Sequence, residues 1–193
     1  LDFVDVGTGS LGQGLSVACG MAYASKYIDK IPNRYYCMMG DGETVEGSVW
    51  EAAHFAAHYK LDNLTAIVDV NGLGQSGYTS LRVIQKEIFL SVLEEGLQPY
   101  ADRFKSFGWE TIIIDGHNID ECIKAFQEAR KDHNGKPFAI IAKTLKGRNF
   151  TANIEDQLNW HGKALGKEAP KVIEYLKSLI KDPNVKLTPA KPD

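Results

Sequence analysis

Long apolar runs are missing from this sequence. The longest, such as Thr111–Ile114 and Phe138–Ala142, fall far short of the roughly 18 residues that a bilayer-spanning helix needs, so no spanning helix is expected. Blocks of lysine or arginine are missing too, and the net charge is only −3. Neither a nucleic-acid backbone nor an anionic membrane surface finds an electrostatic footprint here, and neither is expected as a partner. Cysteine is scarce. Cys19, Cys37 and Cys122 are odd in number, widely spaced and set in apolar segments. They read as reduced, buried thiols of a cytoplasmic protein, not as a disulfide frame or a zinc site. Internal repeats, low-complexity tracts and a signal or transit pattern are absent, and so is an initiating Met. The chain opens on Leu1 and closes on a proline- and lysine-rich tail, Lys181–Asp193. The expectation is a piece of a larger protein, with one domain over residues 1–180 and the start of an interdomain linker over 181–193.

What remains is ordinary globular material. The 193 residues are 44% hydrophobic and 24% charged, which argues against disorder and for about one domain. Candidate strands, rich in β-branched and aromatic residues, are Arg34–Met39, Leu64–Val70, Glu110–Ile114 and Phe138–Ala142. They are apolar on both faces and separated by helix-period segments. That pattern predicts an α/β fold: a doubly wound, mostly parallel sheet with helices on both faces.

Leu11, Leu15, Ala18, Cys19, Ala22 and Tyr23 form one stripe and predict a helix over Gln13–Asp29. A second helix is expected over Val49–Tyr59, started by a capping box at Ser48-Val49-Trp50-Glu51. A third, carrying Ile119, Cys122, Ile123 and Phe126, follows an Asn118 cap. A fourth covers Lys167–Ile180. Ile84–Glu95 is a further candidate helix.

Two glycine-rich loops stand at strand–helix junctions, where open α/β sheets place ligands. The first, Gly7-Thr8-Gly9-Ser10-Leu11-Gly12-Gln13-Gly14, follows a strand-like Leu1–Val6 and contains G-x-G-x-x-G. A dinucleotide fold would then need a ribose-binding acid about 20 residues on. The acid in that neighbourhood is Asp41, 34 residues beyond Gly7 and set between Gly40 and Gly42. A nicotinamide dehydrogenase domain is therefore a remote alternative. The second loop, Gly40-Asp41-Gly42-Glu43, is followed 30 residues after Asp41 by Asn71, directly behind the next strand. Two neighbouring strands thus deliver a carboxylate and an amide oxygen at their carboxyl ends, which suits a hard divalent cation that shares a diphosphate. The glycines let the backbone approach phosphate without a Cβ in the way. His54 and His58, at i and i+4 on a helix, lack a third ligand and carry no metal assignment.

The Gly-Asp-Gly-Glu…Asn pair resembles the thiamine-diphosphate motif. With Thr8-Gly9-Ser10-Leu11-Gly12-Gln13-Gly14, Glu46-Gly47-Ser48-Val49-Trp50-Glu51-Ala52, Leu73-Gly74-Gln75-Ser76, Asp115-Gly116-His117 and Trp160-His161-Gly162-Lys163, the chain closely resembles the transketolase family in its animal form. The resemblance runs over nearly the whole chain. It implies a thiamine-diphosphate-binding fold and a Mg²⁺ ion held by Asp41, the side chain of Asn71 and the main-chain carbonyl of Leu73. Gly42 and Asn71 would touch the diphosphate and Lys146 would face it. Gly9, Ser10 and Leu11 would line the cofactor's rings, with Gln75 bordering the thiazolium. His161 would meet the sugar substrate. Glu46 and Glu51 would form an acidic proton relay between the two sites of a homodimer, and His117 would shape a loop near the site.

The implied reaction moves a two-carbon glycolaldehyde unit from a ketose phosphate to an aldose phosphate, in the pentose phosphate pathway. The resemblance also implies that the first part of the domain and a further domain, with the glutamate that activates the cofactor, lie outside this sequence. On that reading residues 1–193 alone are inactive. Two departures are visible. The stretch between Gln75 and Phe107 is longer than usual for the family, and Asn149 stands where a glycine often follows Arg148. A transketolase-like subunit without catalysis of its own remains the alternative.

Overall fold

All four apolar runs become strands of one parallel sheet. The computed structural model describes residues 4–79, 93–151 and 154–182. The strands are β1 (Tyr35–Gly40), β2 (Leu64–Val70), β3 (Glu110–Asp115) and β4 (Phe138–Lys143), in the order β1-β2-β4-β3. The register pairs Gly40 with Asp69, Val70 with Lys143 and Asp115 with Lys143. All four carboxyl ends therefore share one edge, and the loops that follow them crowd together there.

The α-helices among the described residues are α1 (Gly14–Tyr23), α2 (Gly47–His58), α3 (Leu93–Ser106), α4 (Ile119–Ala129) and α5 (Ala169–Ser178). The expected first helix is present, but its last turn is a π-helix over Ala24–Asp29. The main core joins α1, α2 and α3 to one face of the sheet through Leu15, Cys19, Val49, Val68, Phe104 and Ile141, among others. A smaller core on the opposite face joins α4 to β3 and β4 through Ile114, Ala125, Ala129 and Ile140. The doubly wound, parallel arrangement is as expected.

Several local expectations differ. The capping box at Ser48–Glu51 does not form. Helix α2 begins at Gly47 with Glu46 as its N-cap, and the Ser48 hydroxyl instead donates to the carbonyl of Gly12 at 2.9 Å. Ser48 thus meets a distant loop in place of its own helix end. The stripe of α4 also turns outward. Ile119, Ile123 and Phe126 are exposed, while Ala125 and Ala129 face the sheet and Cys122 is half-buried. Small residues bring this helix close to β3 and β4, and its larger apolar side chains spill past the edge of that contact. Asn118 does cap α4, accepting from the amides of Asp120 and Glu121.

Strand β1 is not apolar-buried on both faces. Cys37 and Met39 enter the core, whereas Tyr36 and Met38 are exposed on the opposite face, where Tyr36 meets Phe126 of α4 edge-on. Leu11 lies outside α1 and is exposed, although Leu15, Ala18, Cys19 and Ala22 of the same stripe are buried. Within Leu1–Val6, residues 4–6 are exposed and form no strand, and 1–3 lie outside the described residues. The Ile84–Glu95 candidate helix falls mostly outside them as well, and so does nearly all of the 181–193 tail. Among the described residues, no helix is long and apolar enough to cross a membrane.

Candidate diphosphate and metal site

The chain leaves β1 at Gly40 and tightens at once into a 3₁₀ turn, Asp41–Val45. Three hydrogen bonds brace it. The Thr44 hydroxyl donates to the Asp41 carbonyl at 2.7 Å, the Trp50 indole donates to the Thr44 carbonyl at 2.8 Å, and Glu43 Oε2 accepts from the Gly40 amide at 2.9 Å. Asp41 is thereby held inside the protein, 1% exposed.

Its two carboxylate oxygens are treated differently. Oδ2 accepts from the Gly72 amide at 2.9 Å and the Thr79 hydroxyl at 3.0 Å, with the Tyr100 hydroxyl at 3.4 Å. Oδ1 is buried and has no hydrogen-bond partner among the described residues. Burial raises the Asp41 carboxyl above the usual carboxylate range, and the nearby Asp69 charge adds to the shift, against the lowering effect of Thr79 and Gly72. A buried carboxylate oxygen without a donor costs free energy unless a cation meets it. Asp41 has the chemistry of a metal ligand.

Asn71 follows β2 and folds back on its own loop. Its Oδ1 accepts from the Leu73 amide at 2.8 Å, and its Nδ2 donates to Asp69 Oδ2 at 3.3 Å. An amide oxygen has two acceptor positions, so the Leu73 bond does not exclude a cation at the same atom. Beyond it, Leu73 bridges to Tyr78, Gly74 donates to Gly77 at 2.8 Å and Thr79 donates to Gly72 at 3.0 Å. This closed loop carries Thr79 back onto Asp41. A Cβ on Gly42 would lie 3.5 Å from the Cα of Gly74, so the two ligand loops touch backbone to backbone. Asp41, Gly42, Asn71 and Leu73 are therefore brought together.

The remaining strand ends supply a second group. Thr144 follows β4, where its amide donates to the Val70 carbonyl at 3.2 Å and its hydroxyl donates to Asp69 Oδ1. His117 accepts from the Leu145 amide at 2.8 Å, which fixes the loop carrying Lys146, as expected. Lys146 Nζ lies 2.9 Å from His161 Nδ1. A lysine ammonium only donates, so Nδ1 is the acceptor and the imidazole of His161 carries its proton on Nε2. Asn149 takes a left-handed backbone, φ 65°, the region that glycine adopts freely and asparagine tolerates. The turn is thus one that both asparagine and glycine can adopt.

Gly9, Ser10, Leu11 and Gln75 are exposed. Glu46 and Glu51 are exposed on the start of α2, and no side-chain hydrogen bond among the described residues engages either. Among the described residues there is no group of three His, Cys, Asp or Glu that could hold a metal. Sequence reasoning missed Glu43, Asp69, Thr79 and Tyr100. Asp69 had a signal, an acid at the end of a buried strand two residues before Asn71. Thr79 and Tyr100 had none, because they reach Asp41 only through folding.

A parallel sheet that delivers a buried carboxylate, an amide side chain and glycine turns to one edge defines a ligand-binding domain of the doubly wound α/β class. A model of the family described as transketolase, thiamine diphosphate binding domain, matches residues 1–186, and the chain belongs to that family. It is 51% identical to transketolase-like protein 2 of Bos taurus over all 193 residues, and 50% identical to transketolase of Homo sapiens over 92% of the chain. These matches cover 28% and 26% of the relatives, so the chain spans little more than a quarter of their length. The crystal structure of transketolase from Campylobacter jejuni is 34% identical and superposes with a TM-score of 0.71, over 91% of this chain and 26% of that one.

Proposed function

We propose that this chain forms the thiamine-diphosphate- and Mg²⁺-holding part of a transketolase, which transfers a two-carbon unit from a ketose phosphate to an aldose phosphate. The observation that carries the reading is the buried Oδ1 of Asp41, which has no hydrogen-bond partner among the described residues, beside the Asn71–Leu73 loop. Asp41, the Asn71 side chain and the Leu73 carbonyl would hold Mg²⁺, a hard cation that would offset the charge of the diphosphate. Gly42 and Asn71 would meet the diphosphate, and Lys146 would offset its charge. Gly9, Ser10 and Leu11 would line the rings and Gln75 would border the thiazolium. When bound, thiamine diphosphate supplies a nucleophilic carbon and an electron sink.

His161, with its proton on Nε2, would donate to a sugar oxygen and exchange a proton there. Glu46 and Glu51 would pass protons along the start of α2 between the sites of a homodimer in the cytoplasm. The sugar phosphates, the pathway role and the dimer are properties proposed for the whole protein.

The test is calorimetric titration with thiamine diphosphate at varied Mg²⁺, followed by an assay of two-carbon transfer. The expected result is Mg²⁺-dependent binding that Asp41→Ala abolishes. Binding that ignores Mg²⁺ overturns the site. The second reading is a transketolase-like protein without catalysis, since identity is 50% to both transketolase-like protein 2 and transketolase of Homo sapiens and does not separate the two, and Mg²⁺-dependent binding without any turnover by the full-length protein would select it.

A further inference from the structure

The two glycine loops are joined by one carboxylate. Glu43 Oε1 accepts from the Gly12 amide at 3.0 Å, and its Oε2 accepts from the Gly40 amide at 2.9 Å. Gly12 is held at its other end as well, because the Ser48 hydroxyl donates to its carbonyl at 2.9 Å. Its backbone is left-handed, φ +81°, and a Cβ there would lie 2.6 Å from Glu46 Cβ. Both polar groups of Gly12 are therefore spoken for in a slot that admits only glycine, while residues 7–11 stand exposed beyond it. Glu43 itself belongs to the turn that carries Asp41. A single side chain ties the turn that presents the metal ligand to the anchor of the outer loop.

We propose that Glu43 is a positioning residue: it fixes the Gly7–Gly12 loop against the Gly40–Gly42 turn, and so sets the span between the ring end and the diphosphate end of the cofactor seat. This rests on the assignment of the two loops under Proposed function. The chemistry requires a carboxylate. Two backbone amides need two acceptor oxygens, whereas glutamine of the same length offers one oxygen and sets an NH₂ donor against the second amide. Hydrogen bonds to a charged acceptor are among the stronger ones, and one is lost in that exchange.

The experiment compares two ligands that reach different distances into the seat. Mg²⁺ with inorganic pyrophosphate fills only the diphosphate end, and Mg²⁺ with thiamine diphosphate spans both. In the purified protein, Glu43→Gln should weaken thiamine diphosphate by about tenfold and leave pyrophosphate within about twofold. Ser48→Ala should move the same way by a smaller factor. Hydrogen exchange at the Gly12 amide should speed up in Glu43→Gln, since the bond that protects it is weakened. Asp41→Ala should lose both ligands alike. Equal loss of both ligands in Glu43→Gln and in Ser48→Ala would overturn the proposal, because a general collapse of the turn predicts that. So would unchanged binding of both with unchanged Gly12 exchange. If the unsubstituted protein binds neither ligand, the site assignment itself fails, and the Gly12 exchange still reports on the latch.

Discussion

An ionised carboxylate that has left water needs donors or a counter-charge for each oxygen. Asp41 has donors for Oδ2 and none for Oδ1 among the described residues, with the Asp69 charge nearby. A neutral amide of the same shape removes that cost, so Asp41→Asn should leave the metal-free protein at least as stable at pH 7. It should also erase any rise in melting temperature on adding Mg²⁺. Thermal melts with and without Mg²⁺ read both outcomes. The thiols make a separate case. Burial pushes Cys19 from 9.0 to about 12 and Cys37 to about 11, and it also raises Cys122, which is only half-buried. The folded chain keeps these protons after the unfolded chain has lost them. Stability should therefore fall as pH rises from about 9 towards 11. Alkylation at pH 8, followed by mass spectrometry, should label Cys122 first and reach Cys19 and Cys37 only after denaturant is added.

Elements here are held by a few backbone positions that tolerate no ordinary side chain. Gly12→Ala meets both a left-handed φ and a 2.6 Å contact, and should cost about 1–3 kcal/mol in urea unfolding. Asn149, at φ 65° between β4 and α5, is a milder case. Asn149→Val should cost roughly 1–2 kcal/mol, while Asn149→Gly should be near neutral, since only a β-branched residue is excluded from that conformation. Helix α3 was not expected, although Leu97, Tyr100, Ala101 and Phe104 recur at i, i+3, i+4 and i+7. Its span contains Pro99, a residue that argues against a helix interior. Its place is decided by packing, because Leu97, Tyr100, Ala101 and Phe104 are buried against the sheet. The apolar stripe of α4 misled in the opposite direction, since short residues face the sheet and the long ones do not.

Across the whole molecule, the two faces of the sheet are unequal. Among the described residues, three helices pack on one face, while α4 packs on the other over β3 and β4. Two adjacent methionines of β1 report the difference, for Met38 is 72% exposed and Met39 is 3% exposed. Met39→Ala should cost about 2–5 kcal/mol by chemical denaturation, and Met38→Ala should stay within about 0.5 kcal/mol. Comparable costs at the two positions would mean that both faces of β1 are packed.

Strands, most helices and the ligand turns could be read from the sequence because each depends on neighbours. A run of β-branched residues makes a strand wherever it lies, and Gly-Asp-Gly or Asn-Gly makes a turn from its own backbone. Asp41 and Asn71 were visible for that reason. The partners of those residues were not. Glu43 meets Gly12 across 31 positions, Ser48 meets it across 36, Tyr100 meets Asp41 across 59 and Thr144 meets Asp69 across 75. The sequence could place Ser48 in a capping box because local spacing allowed one. Folding starts α2 at Gly47, which places Ser48 inside the first turn and not at its cap, and the hydroxyl donates to the Gly12 carbonyl of a distant segment. Residue type and spacing determined which loops could bind a cation and a diphosphate. Only the tertiary structure decided which oxygen of Asp41 is left for the cation, and which side chain holds the two loops together.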